Sequence, residues 1–147
     1  MQIQPPTPSF RSSLRASTSA SAVPYGYTIT IWSAGTLSAG TLGQPHLAEV
    51  LLFMAGAVLG FFAVKGAAFG TVGAVAREPV HPVLPLWAFA HVLAAGGAIL
   101  AAWAADRIIG GAVAWAAAGF LATSVFFLLN AVQTALAART RAAGARR

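Results

Sequence analysis

Four polar side chains interrupt otherwise apolar sequence and are the first candidates for chemistry: Lys65, His91, Asn130 and Gln133. Lys65 stands inside the run Leu51 to Ala76, where a charge at the centre of a membrane helix costs about 2.5–3.5 kcal/mol on insertion scales. His91 brings a donor and an acceptor nitrogen to a second apolar run, and Asn130 brings an amide to a third. Gln133 and Thr134 follow Asn130 by three and four residues, on the same helical face. Counted at the helical rise, Lys65 lies about 18 Å in from Arg77, His91 about 9 Å in from Pro85 and Asn130 about 12 Å in from Ala138. Three helices thus offer polar groups at comparable depth. Such a cluster could bind a small anion or relay a proton. The plainer reading is that Lys65 snorkels to the interface while His91 and Asn130 bond to backbone or to each other.

Other constellations are weaker. His46 and Glu49 have a spacing seen in metal sites, but two ligands without a third are poor evidence, and helix-start chemistry explains them. His81 falls in a loop apart from both other histidines. Asp106 is expected in a turn at the far end of the helix that carries His91, so no hydrolytic triad can form. Phosphate-binding glycine loops and paired acids are missing from the sequence, and with no cysteine there are no thiolate sites or disulfides. The expectation is a non-enzymatic protein with no catalytic residue, cofactor or metal.

The elements that must position these residues follow from composition. Of 147 residues 58% are hydrophobic and 8% charged, against roughly 25% charged in an average soluble domain. The nine Lys and Arg and three Asp and Glu leave uncharged stretches at 16–48, 50–64, 66–76, 79–105 and 108–138. A bilayer core needs about 20 apolar residues in a helix, which the last two supply unaided. The expected fold class is all-α, a bundle of four transmembrane helices over 25–138 with a disordered N-terminal tail at 1–24 and a basic tail at 139–147.

The approximate spans are 25–42, 47–76, 85–105 and 112–138. The first is rich in Ser and Thr, whose hydroxyls can bond back to carbonyls one turn earlier; an interfacial or re-entrant segment is the alternative. Pro45 and Glu49 suit the start of the second. Pro79, Pro82 and Pro85 favour a stiff connection to the third. Trp87 and Trp103 bracket that span like an aromatic belt, and Asp106-Arg107 with Gly110-Gly111 reads as the turn into the fourth. The Arg-, Ser- and Pro-containing tail lacks the apolar core of a secretory signal; an organellar transit peptide fits its composition, although Ala-, Gly- and Arg-heavy usage throughout points to a bacterial plasma membrane.

Six of the nine basic residues lie in the terminal tails, where anionic headgroups rather than nucleic acid are the expected partner. Small residues recur four apart at Gly35/Ala39/Gly43, Gly56/Gly60, Gly66/Gly70/Ala74 and Ala90/Ala94/Ala98/Ala102, a spacing that lets helices approach closely within the chain or in a homo-oligomer. The expected role is a structural or accessory subunit packing with itself or a larger membrane complex. A solute-, ion- or proton-conducting protein using Lys65, His91 and Asn130 is the alternative. With four spans, seven arginines share one side and only Arg107 the other, which places both termini in the cytoplasm. A topology reporter fused after Gly43 is expected to read non-cytoplasmic; a cytoplasmic signal overturns the four-span arrangement.

Overall fold

The computed structural model describes residues 10–69 and 88–144. They form four helices: α1 (Phe10–Leu42), α2 (Leu47–Phe69), α3 (Ala88–Ile109) and α4 (Gly111–Gly144). Three are long and apolar enough to cross a membrane, over Leu47–Ala67, His91–Ile109 and Gly111–Gln133. α1 is not one of these; its threonines dilute the apolar content, and Thr28, Thr36 and Thr41 each donate to the carbonyl four residues back. That bonding satisfies the hydroxyl groups within the helix itself. α1 starts at Phe10, so residues 10–24, expected as part of a disordered tail, stand within it, Pro24 included. Residues 1–9, the Pro79–Pro85 connection, His81 and Trp87 lie outside the described residues.

The connections explain where the helices stop. Gly43 turns the chain out of α1 with φ +101°, its N–H still bonded to the Ala39 carbonyl at 3.1 Å. At the start of α2 the Glu49 carboxylate accepts the His46 N–H at 2.7 Å, while the His46 carbonyl accepts the N–H groups of Glu49 and Val50. This is half of a capping box, and it is what the His46/Glu49 pair does. Between α3 and α4 only Gly110 and Gly111 take positive φ, 66° and 64°, a conformation that costs glycine nothing. The expected turn at Asp106-Arg107 is therefore corrected. Both residues continue α3, and the reversal is made by the two glycines alone.

Contacts fix the helix directions. Gly26 approaches His91 and Ser38 meets Asp106, so α1 runs parallel to α3; Gly56 faces Ala116 and Gly60 faces Phe120, so α2 runs parallel to α4. The chain thus goes up, down, up and down. α4 is the hub, packing against each of the other three, while α1 packs on α3 as well and α2 packs chiefly on α4. One buried cluster joins Ala34, Phe53, Ala102, Trp115, Ala118 and Ala122, and a second joins Ala94 and Ala98 to Phe126. Ala94, Ala98 and Ala102 are thus the packing face of α3, as their spacing suggests.

α2 and α4 touch backbone to backbone. A Cβ on Gly56 would overlap the Ala116 carbonyl, one on Gly119 would overlap the Phe53 carbonyl, and one on Gly60 would come within 2.6 Å of the Phe120 oxygen. The Gly56/Gly60 pair therefore serves packing within the chain. Gly66 has nothing near its missing Cβ, and so takes no part in this contact. Gly119→Ala is expected to cost about 1–3 kcal/mol through forced separation of α2 and α4. Gly66→Ala should be neutral or stabilising by up to about 1 kcal/mol, since helical glycine is entropically unfavourable. Thermal unfolding in detergent compares the two; equal midpoints would remove the argument.

Candidate functional site

At the connection end of the bundle, Ser38 Oγ on α1 donates to Asp106 Oδ2 on α3 at 2.7 Å, with both residues buried. The backbone places them there. Asp106 continues the four-residue stripe of Ala94, Ala98 and Ala102 on the packing face of α3, and Ser38 continues the stripe of Thr30 and Ala34 on α1, all three fully buried. Asp106 is only 3% exposed, and its Oδ1 has no hydrogen-bond partner. A carboxyl near the C-terminal end of a helix is also disfavoured by the helix dipole. Ser38 is thus the group that makes this burial tolerable. Outside the bundle, Arg107 turns away and lies 5.3 Å from the centroid of the Trp103 ring.

A second fastening sits near the other end. Tyr27 Oη and Thr123 Oγ1 are 3.0 Å apart, joining α1 to α4, and the Tyr27 ring packs on Phe126 and Phe127 at centroid distances of 5.7 and 5.3 Å. Phe127 in turn meets Phe61 of α2 at 5.6 Å. Aromatic rings therefore run across three helices at the level where the polar cluster is expected.

Lys65 stands on the α2 side of these rings, half-buried, with Nζ 5.9 Å from the Phe61 centroid, at the outer limit of a cation–π contact. It is the third residue from the end of the apolar run Leu47–Ala67. The stretch Leu47 to Val64 alone covers about 27 Å of helix, so Lys65 comes at the end of this run rather than at its middle. His91 is placed elsewhere, between α3 and α1, with the position of a Cβ on Gly26 3.6 Å from its own Cβ. Both of its ring nitrogens are buried without a hydrogen-bond partner, so His91 is bonded to none of Lys65, Asn130 and Gln133. Asn130 and Gln133 are half-buried on α4, and Gln133 Oε1 accepts no hydrogen bond. His91 thus belongs to a different helix interface from Lys65.

His91 lines an open cavity of about 490 Å³ between α1 and α3. Its wall is apolar, formed by residues such as Ile29, Val92, Ala95 and Ile99, and Tyr25 borders it from α1. Leaving a buried polar group unmatched costs about 1–3 kcal/mol, and both His91 nitrogens bear that cost. Sequence reasoning singled out His91 but missed Ser38, Asp106, Tyr27 and Thr123. The signal for Asp106 was present: Gly110 ends the helix four residues later, and the alanine stripe, extended by one more step, arrives at 106.

No protein family matches the chain, and no curated protein or solved structure is significantly similar to it. Among the described residues no group of three or more His, Cys, Asp and Glu could hold a metal ion.

Ser38→Ala is expected to destabilise the protein by about 1–3 kcal/mol, because it leaves a buried carboxyl without its donor. Asp106→Asn retains an acceptor for Ser38 and should cost less. Thermal unfolding of both variants in detergent tests the order; a harmless Ser38→Ala would show that this bond does not hold α1 in place.

Proposed function

We propose that the chain is a small multi-pass membrane protein, with α1 as a fourth crossing, whose role is that of a structural or accessory subunit within an assembly of its own copies or a larger membrane complex. The observation that carries this reading is the outer surface of α2. Leu51, Met54, Val58, Leu59 and Phe62 are all exposed there, on a helix whose main contact within the chain is α4. So large an apolar face suits lipid or a neighbouring transmembrane helix and is unsuited to water. α3 and α4 add exposed Leu93, Leu100, Val113 and Leu128.

The buried polar groups support the same reading. Ser38 with Asp106 and Tyr27 with Thr123 join one helix to another, which is what polar side chains do in the structural core of a membrane bundle. The excess of arginine on one side of the four-span arrangement favours both termini in the cytoplasm of a bacterial cell.

Two measurements test the proposal. The protein should stay in the membrane pellet after alkaline carbonate extraction, and release into the supernatant would overturn the membrane assignment. Solubilised in mild detergent, the tagged chain should migrate above its monomer mass, with further copies of itself or a stoichiometric membrane partner identified by mass spectrometry; a clean monomer would overturn the accessory role.

A further inference from the structure

The two arginine-bearing helix ends lie at the same end of the bundle. α1 begins at Phe10 and carries Arg11 and Arg15 in its first two turns, while α4 runs on to Gly144 and carries Arg139 and Arg141 in its last two. The helices are antiparallel neighbours, joined by the bond between Tyr27 and Thr123. Their far ends are level, since Ser38 meets Asp106 and the chain turns nearby at Gly43 and at Gly110-Gly111. Arg15 stands twenty-eight residues before Gly43, and Arg139 stands twenty-eight after Gly111. Both distances are about 42 Å of helix, with Arg141 at about 45 Å and Arg11 at about 48 Å. Pro24 lies within α1, and a bend there changes the slope of the first turns without carrying them to another end. That both tails are basic is plain from composition; the fold adds that they stand level on touching helices.

We propose that these two helix ends form one surface for anionic phospholipid headgroups, Arg11 and Arg15 of α1 and Arg139 and Arg141 of α4 acting together on phosphates of the same leaflet. Charge is the first support. Neither 1–48 nor 107–147 contains an Asp or Glu. Glu49 and Asp106 belong to the opposite end of the bundle, and Glu78 lies outside the described residues. Arg11 and Arg15 are also four apart on one helix, a like-charge spacing that disfavours the helix and that a neighbouring anion relieves. Depth is the second support. A bilayer measures about 40–45 Å with its headgroup regions, so with the glycine turns in one headgroup layer the four arginines reach the other, given the tilt usual for membrane helices. Arginines held clear of the membrane would suit an acidic protein; at this depth the nearest anions are lipid phosphates. The inference rests on the proposed reading of α1 as a fourth crossing.

The test is native mass spectrometry of the purified full-length protein in nonionic detergent, titrated with phosphatidylglycerol or with phosphatidylcholine of the same acyl chains. Phosphatidylglycerol is expected to bind at least tenfold more tightly, and raising ammonium acetate from about 50 to about 500 mM should weaken it at least fivefold. An arginine near an anionic surface is worth a factor of about five. Arg11→Gln with Arg15→Gln should therefore weaken every bound phosphatidylglycerol at least fivefold, and so should Arg139→Gln with Arg141→Gln. Lysine at all four positions keeps the charge and should hold the affinity within threefold, which separates lost charge from lost fold. Arg107→Gln, at the opposite end, should change it less than twofold. If each double variant instead removes a share of the bound lipid and leaves the affinity of the rest unchanged, the tails bind separately and the shared surface is overturned. No preference for phosphatidylglycerol, or a polyglutamate peptide bound as tightly, would overturn the lipid as its occupant. Release of the chain in carbonate extraction bears on the membrane reading; loss of the lipid preference in a chain that stays in the pellet bears on this surface alone.

Discussion

The close passage of α2 and α4 sets what the other helices can do. On the proposed membrane reading, hydrocarbon competes with hydrophobic side chains on equal terms, so apolar helices gain little by hiding leucine and associate through close van der Waals packing. Gly56, Gly60 and Gly119 permit that packing because a Cβ at any of them would run into a backbone carbonyl of the other helix. Around this seam Phe53 packs edge-on against Trp115, at a centroid distance of 6.5 Å, and Phe61 against Phe127. The large residues are thus displaced to the flanks of the seam, where they fill the space beside it. α4 then presents its remaining surface to α3 and α1, with Ala114, Ala118 and Ala122 fully buried. A hub helix with small residues on several sides is the geometric requirement for three neighbours at once.

α1 is held by different physics. Its buried stripe is Thr30, Ala34 and Ser38, too small and too polar for apolar packing alone to account for its position. Thr30 donates to its own helix at the Gly26 carbonyl, 2.8 Å away, and so spends its hydroxyl locally. Ser38 and Tyr27 spend theirs on α3 and α4. The two inter-helix bonds lie eleven residues apart, about 16 Å along α1, so together they fix its rotation and its axial position. A single bond would fix neither, and the alanine between them allows the close approach that both bonds need.

These two modes of attachment explain which parts of the fold were legible. Three apolar runs, the Gly56/Gly60 pair of α2 and the Ala94/Ala98/Ala102 stripe of α3 are local patterns that lie where their period placed them, whereas α1 falls short of the apolar content of a span and Gly66 packs on nothing. Helix ends were harder. Asp106 and Arg107 read as a turn because charge suggests water, whereas the backbone requirement for positive φ assigned the reversal to Gly110 and Gly111. That misplacement concealed the Ser38–Asp106 bond, since a carboxyl in a loop needs no partner and one on a packing face does. The polar cluster shows the converse limit. Helix rotation could not be read from sequence, and rotation directs His91 toward α1 while Lys65 stands by Phe61 on α2.

The two polar residues of α3 therefore have opposite characters, although both interrupt apolar sequence. Asp106 is enclosed and accepts a hydrogen bond from Ser38. His91, fifteen residues earlier and about 22 Å away along the helix, has no bond to lose and an open wall beside it. Buried polar groups in a membrane bundle are expected to be matched, because an unmatched one is unfavourable in either lipid or protein. Where the match is internal, as at Asp106, the residue serves the fold. Where helix rotation leaves it unmade, as at His91, the residue fastens no helix to another and takes no part in holding α1.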